Sequence, residues 1–155
     1  MKIGVILVTF NRLDKLKIAL DCYEAQTHKP DYIYVINNHS TDGTDVFLKE
    51  WQAQTGVCER LVLPYNSGGA GGFHDGLEAG LKKDSDWLWV ADDDAYPEKD
   101  AFEKLSSYYD TLSADEQNKI AALCSTVINN GKIHYGHRNH LYLTKLKCKI
   151  IESTP

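Results

Sequence analysis

Residues 87–94 read Trp-Leu-Trp-Val-Ala-Asp-Asp-Asp, an apolar run that ends at three consecutive carboxylates. A short apolar run stopping at acids reads as a buried strand that delivers charge to one edge of a sheet. Three carboxylates within about 10 Å repel one another unless a cation or hydrogen-bond donors face them. Strand alternation sends Asp92 and Asp94 to one side and Asp93 to the other. Two acids on one side suit a hard cation, Mg²⁺ or Mn²⁺, that also holds substrate phosphates. The competing interpretation is a solvated acidic turn opening a helix, with Asp94 or a neighbour as its cap.

A second unusual segment is Asn66-Ser67-Gly68-Gly69-Ala70-Gly71-Gly72-Phe73, followed by Gly76. Glycines let the backbone approach a ligand closely, and at a helix N-terminus they expose N–H groups that suit a diphosphate. No Gly-Lys-Ser/Thr follows, so the segment is not a P-loop. Its glycine spacing and its place after a third strand also fail the dinucleotide fingerprint. His134, His137 and His140 are spaced by three, but on strands and turns that spacing does not converge on a metal as it would on a helix. They are assigned a structural or surface role, and Trp51, Tyr108 and Tyr109 are assigned to the core or its margin.

Alternating elements must position these segments. Ile3 to Phe10 is an apolar strand, and Asn11 can cap a helix carrying Leu13, Leu16, Leu20 and Tyr23 on one face. Tyr32 to Ile36 is a second strand. Ser40-Thr41-Asp42-Gly43 is a turn and cap leading to a helix with Val46, Phe47 and Trp51 inward. Leu61 to Leu63 is a short third strand, after which Phe73, Leu77 and Leu81 mark a third helix. Trp87 to Ala91 is the fourth strand, and Pro97 opens a helix with Phe102, Leu105, Tyr109 and Leu112 inward. This order predicts an α/β fold with a mostly parallel sheet and helices on both faces. The pattern then changes: Ile120 to Ile128 is a long strand candidate, Asn129-Asn130-Gly131 a hairpin turn, and Lys132 to Tyr135 the return strand. Leu141 to Ile151 alternates as a further strand.

Composition sets the bounds. The chain of 155 residues, 43% hydrophobic and 25% charged, suits one domain with a real core. A net charge of −5 without a basic cluster argues against nucleic-acid binding. Cys22, Cys58, Cys124 and Cys148 form no Cys-x-x-Cys pair, so a reducing cytoplasm is expected rather than a zinc knuckle or redox motif. The apolar opening is too short for a signal peptide and lacks a small-residue cleavage site, and no stretch approaches the roughly 20 apolar residues that span a bilayer.

In an open α/β sheet, ligands bind outside the carboxyl ends of the strands, where every unusual polar segment falls. Val8-Thr9-Phe10-Asn11-Arg12, Asn38-His39-Ser40-Thr41-Asp42-Gly43-Thr44, Asn66 to Phe73 and Asp92-Asp93-Asp94 together resemble the successive motifs of family 2 inverting glycosyltransferases of the GT-A fold. The glycine-rich segment with the triple Asp is most similar to the galactofuranosyl- and rhamnosyltransferase branches. The resemblance covers about residues 3–110. It implies a GT-A (Rossmann-like) sheet ending in a β-hairpin region, and a UDP- or dTDP-linked sugar donor. It also implies a glycan or lipid-linked saccharide acceptor, which would bring the whole enzyme to the inner face of the membrane.

The same resemblance implies roles. Thr9, Phe10 and Arg12 would lie against the base and diphosphate, with Asn11, Asn38, Ser40 and Asp42 part of the donor site. The family usually has Asp where this chain has Asn37, whose amide oxygen can still accept from the base N3–H. Asn66, Gly69, Ala70, Gly71 and Gly72 would support nucleotide and sugar. Asp92-Asp93-Asp94 would be the DxD motif, with Asp92 near the ribose or sugar and on the metal with Asp94, and Asp93 on the donor. The metal would be Mn²⁺ or Mg²⁺. The family's general base lies well downstream, and after Glu116 the only Asp or Glu is Glu152. The general base is therefore expected beyond Pro155, and the chain is expected to be the donor-binding portion of a longer enzyme. About residues 1–115 would form its nucleotide-binding part, and 116–155 would start the acceptor side. A catalytically idle nucleotide-sugar-binding module is the alternative. A nucleotidyltransferase is a further one, although it would want a Lys or Arg in the glycine loop.

Overall fold

The computed structural model of the protein describes residues 1–56, 58–133 and 149–150. His134, His137, His140, Cys148 and most of the expected strand from Leu141 lie outside the described residues. Glu152 and Pro155 lie outside them too. The chain divides into two compact units, 1–102 and 103–155.

The first unit is built on four parallel strands: β1 (Ile3–Thr9), β2 (Tyr32–Asn37), β3 (Cys58–Val62) and β4 (Trp87–Asp92). They lie in the order β3-β2-β1-β4. All seven residues of β1 are buried, as a central strand covered on both faces requires. Alternation divides its side chains. Ile3, Val5 and Leu7 join Ile33, Val35, Leu48 and Phe102 in one cluster, while Ile6 and Val8 join Ile36 and Leu63 in the other. Helix α1 (Leu13–Glu24) buries Leu16, Ala19, Leu20 and Tyr23 in the first cluster. Helix α2 (Thr44–Thr55) turns Thr44 and Leu48 inward, with Phe47 and Trp51 at the margin. Val46, expected inside, is 60% exposed because the buried row starts at Thr44 and returns one turn later at Leu48.

The opposite face is covered by α3 (Gly68–Gly80), whose inward row is Gly72, Gly76 and Gly80, not Leu77 and Leu81. Leu77 and Leu81 are exposed. The spacing of four places the three glycines on one stripe, and the helix lies hard against β1 and β2. A Cβ at Gly72 would stand 2.7 Å from Val8 Cγ1, and one at Gly76 would stand 2.5 Å from Ile6 Cγ2. A helix that approaches this closely leaves no room for leucine between itself and the sheet. The periodic apolar residues therefore point to the flanks, with Phe73 half-buried against the cluster.

Three boundaries differ from the sequence expectation. The N-cap of α1 is Arg12, and Asn11 stands outside the helix at φ 51°. Strand β3 starts at Cys58 and ends before Leu63, because Ile33 to Asn37 of β2 set its length through their pairing. The candidate strand from Ile120 to Ile128 is broken into β5 (Leu123–Cys124) and β6 (Ile128–Asn129). The second unit contains most of α4 (Ala101–Asp110) and the short α5 (Ala114–Gln117), closed by a capping box between Ser113 and Glu116. β5 pairs in parallel with β8 (Lys149–Ile150). β6 forms the expected hairpin with β7 (Lys132–Ile133). Its two-residue turn, Asn130 at φ 50° and Gly131 at φ 71°, has the left-handed pair that matches strand twist.

The glycine stripe carries a stability test. Gly76→Ala should destabilise the protein by about 1–3 kcal/mol through overpacking. That exceeds the roughly 1 kcal/mol that helix propensity returns. At Gly69 an added Cβ meets nothing within 4 Å, so Gly69→Ala should be neutral or stabilising by up to about 1 kcal/mol. Urea midpoints moving in the same direction for both variants would contradict the packing account.

Candidate functional site

In the order β3-β2-β1-β4 the chain reverses its direction of travel between β1 and β4. The crevice at such a switch point, outside the carboxyl ends of the strands, is where open α/β sheets bind ligands. Register places Val8 beside Asp92, so the segments following β1 and β4 leave the sheet side by side.

Asp93 is the centre of this edge. It is 2% exposed; Thr9 Oγ1 donates to its Oδ2 at 2.7 Å and Arg12 Nη1 to its Oδ1 at 3.2 Å. The same Nη1 donates to Asp94 Oδ2 at 3.0 Å, and Lys15 Nζ to that oxygen at 2.9 Å. Among the described residues, Arg12 Nη2 and Nε bond nothing. Strand alternation predicted Asp94 beside Asp92 and away from Asp93. Instead the strand ends at Asp92 and a turn follows, with Ala95 N–H donating to Asp92 O, so Asp93 and Asp94 share Arg12. Lys15, then Arg12, hold the Asp94 carboxyl below its usual range, although burial opposes them. Asp92 is pushed the other way, first by partial burial and then by the Asp94 and Asp93 charges.

The other candidates fasten the loops to each other. Asn11 N–H donates to Ser40 Oγ at 3.0 Å, and Asn11 Oδ1 accepts from Thr41 N–H at 2.7 Å. Asn37 is wholly buried, and its Oδ1 accepts from Ser40 N–H at 2.9 Å while Nδ2 has no partner. Asn38 ties β2 to the glycine-rich segment. Its Oδ1 accepts from Ser67 N–H at 2.9 Å and its Nδ2 donates to Gly68 O at 3.0 Å. Asn66 Oδ1 accepts from Gly68 N–H at 2.8 Å. Ser67, the N-cap of α3, makes no side-chain cap bond, no acid stands in the first turn, and Asn66 holds the first amide, that of Gly68. Gly69 and Ala70 are exposed there, whereas a Cβ on Gly71 would meet Ser67 Oγ at 2.4 Å and Gly72 lies on Val8. Phe10, after the end of β1, is 40% exposed.

Asp42 caps two helices at once. Its Oδ2 accepts from Leu13 N–H at 2.9 Å, at the start of α1. Its Oδ1 accepts from Thr44 Oγ1 at 2.6 Å and Thr44 N–H at 3.2 Å, at the start of α2. Asn11 was the expected cap; Asp42 from the neighbouring loop takes that place because Asn11, in the left-handed region, turns its amide toward Thr41 instead. Two residues were missed from sequence. Lys15 looks like one more solvated helix lysine, and only its position one turn after Arg12 hints at a shared target. Gln26, buried, anchors the segment after Asp94: its Nε2 donates to Glu98 O at 2.8 Å and its Oε1 accepts from Phe102 N–H at 3.3 Å.

The donor chemistry of this edge fits a hard divalent cation. Asp92 has no basic side chain bonded to it among the described residues, and partial burial, then the Asp94 and Asp93 charges, raise its pKa. Asp94 supplies a second oxygen donor. Among the described residues no three His, Cys, Asp or Glu side chains converge.

The model of the family described as Glycosyl transferase family 2 matches residues 4–152. The chain belongs to that family. Curated relatives include the galactofuranosyltransferase GlfT1 of Mycobacterium tuberculosis, 37% identical over 92 residues. That match covers 59% of this chain and 30% of the relative. GlfT1 of Mycolicibacterium smegmatis is 36% identical over 93 residues, with the same coverage. Among solved structures, S. aureus TarS 1-349 in complex with UDP-GlcNAc superposes with a TM-score of 0.67 at 22% identity. It covers 85% of this chain and 36% of that one. The mannosyltransferase PcManGT from Pyrobaculum calidifontis, in complex with GDP-Man and Mn²⁺, gives 0.67 at 21%, covering 83% and 36%. These neighbours carry the expected GT-A fold. This chain spans about a third of the length of the proteins it matches.

Asp42 generates the test of this loop architecture. Removing two caps by Asp42→Ala should cost about 1–4 kcal/mol, at about 0.5–2 kcal/mol per cap. Asp42→Asn, with one oxygen left, should lose less. Burial raises the Asp42 pKa, but the bonds from Thr44 and Leu13 outweigh it and leave the group below its ordinary value. The wild-type advantage over Asp42→Ala should therefore be complete near neutral pH and shrink as pH falls through and below the ordinary carboxylate range. Urea unfolding from pH 7 to pH 3 reads both effects, and a difference that does not depend on pH would rule out the charged cap.

Proposed function

We propose that this chain binds the nucleoside-diphosphate portion of a sugar donor at the switch point between β1 and β4, as the donor-binding part of a family 2 glycosyltransferase. The donor is of the UDP-galactofuranose or dTDP-rhamnose type, and the acceptor is a glycan or lipid-linked saccharide. The transfer inverts the anomeric carbon, and the donor is drawn from a cytoplasmic pool. The observation that carries this conclusion is Arg12, fixed between buried Asp93 and Asp94 at the crevice with Nη2 and Nε still free to donate. Family membership and the galactofuranosyltransferase relatives support the donor class, as do neighbours solved with UDP-GlcNAc and with GDP-Man and Mn²⁺.

Each group has a stated task. Thr9 and Asp93 hold Arg12 in place, and its remaining N–H groups face the diphosphate in a planar fork suited to phosphate oxygens. The uncapped amides at Gly69 and Ala70 add donors aligned with the helix dipole. Phe10, exposed at the end of β1, offers an apolar face to the base. Asn37 orders Ser40 through its amide oxygen. Asp92 and Asp94 would hold Mg²⁺ or Mn²⁺, which would neutralise the diphosphate and stabilise it as the leaving group. Asp93 is not placed to accept a proton from an acceptor hydroxyl, since both of its oxygens are already bonded. We therefore do not assign the general base to Asp93.

Calorimetric titration of UDP and of dTDP with and without Mn²⁺ tests this assignment. The wild-type chain should bind at least one of them more tightly with Mn²⁺. Asp94→Asn should lose the metal-dependent part by about tenfold or more, roughly 1.4 kcal/mol. Metal-dependent affinity unchanged in a folded Asp94→Asn protein would remove Asp94 from the site.

A further inference from the structure

We infer that Lys15 is the exchangeable counter-ion of this site, holding Asp94 in the ligand-free protein and passing to the donor's phosphate when a divalent cation takes Asp94. The inference rests on the donor-binding proposal and assigns a residue that none of the sequence motifs contains.

The two cations on Asp94 are not equivalent. Arg12 is tied by its Nη1 to Asp93 as well, a carboxylate whose side chain is 3% exposed, so it remains held if Asp94 is occupied by something else. Lys15 bonds Asp94 alone among the described residues, and the two side chains are 49% and 40% exposed. Its ammonium ends a flexible four-carbon stem that can swing without moving the backbone. It sits 2.9 Å from Oδ2, one of the two oxygens that Asp94 can offer a metal. An ammonium and a divalent cation sharing one oxygen repel each other strongly at that range. Cation binding therefore displaces Lys15, and the released charge stays within one stem length of Asp94, which Arg12 also contacts. A compact ammonium is a good partner for a phosphate oxygen.

The exchange has a signature that a merely structural lysine lacks: two affinities move in opposite directions. Lys15→Met should bind Mn²⁺ alone about two- to fivefold more tightly than wild type, because the competitor for Asp94 is gone. At saturating Mn²⁺ the same variant should bind UDP about two- to fivefold more weakly, because the phosphate has lost its ammonium. Lys15→Arg, which keeps the charge, should stay near wild type in both titrations. Lys82→Met, which removes the same charge beyond the far end of α3, should change neither. Circular dichroism confirms folding, and Lys15→Gln serves as a second neutral variant. Both affinities moving in the same direction, or matching Lys82→Met, would overturn the exchange while leaving the donor site standing. Mn²⁺ binding unaltered in Asp94→Asn would instead overturn the donor-site assignment beneath it.

Discussion

A carboxylate can remain almost fully shielded from water only if donors reach its oxygens, since desolvation otherwise drives it to the neutral form. Asp93 satisfies that condition with one donor from each side of the β1 terminus: Thr9, the last residue of the strand, and Arg12, the N-cap of the helix that follows. Those two bonds fix how β1 passes into α1. The same guanidinium reaches Asp94, so the turn after β4 is set by the same charge. Gln26 then holds the next stretch, at Glu98 and Phe102, against the end of α1. The switch point is thus closed by polar contacts between two segments that leave the sheet together.

The opposite face solves a different problem. A helix running over the two central strands must come close enough to cover Ile6, Val8 and Ile36 without large side chains of its own. Glycine at every fourth position achieves this at a cost of about 1 kcal/mol per residue in helix propensity, offset by close packing. The segment therefore has two duties divided along its length. Gly72, Gly76 and Gly80 lie on the sheet, and Gly68 and Gly69 stand at the open end, where an added Cβ meets nothing.

The architecture was legible because it rests on local pattern. Continuous apolar runs at Ile3 to Thr9 and Trp87 to Ala91 identify buried parallel strands, and polar segments following each strand fall at one edge by topology alone. Asn130-Gly131 could be read as a hairpin for the same reason. What escaped the sequence depends on partners far along the chain. Asp42 caps a helix that starts 29 residues earlier, and Asp94 meets a lysine 79 residues away. The inward row of α3 was hidden for another reason: periodicity counts large apolar residues, and this helix packs with its smallest. The alternation rule failed at Asp94 because a strand's period stops where the turn begins.

Among the described residues, four of the five helices carry an acid in the first turn, namely Asp14, Asp45, Glu103, and Asp115 with Glu116. Helix α3 does not. On a chain of net charge −5, an approaching polyanion is repelled almost everywhere, and the acidic first turns blunt the positive ends of the other helix dipoles. Among the described helices the α3 terminus lacks such an acid and keeps the positive end of its dipole. Long-range electrostatics of this kind would draw an anion towards that helix end before any contact forms. Such guidance governs the encounter rate more than the final affinity, and it fades as ionic strength shortens the screening length.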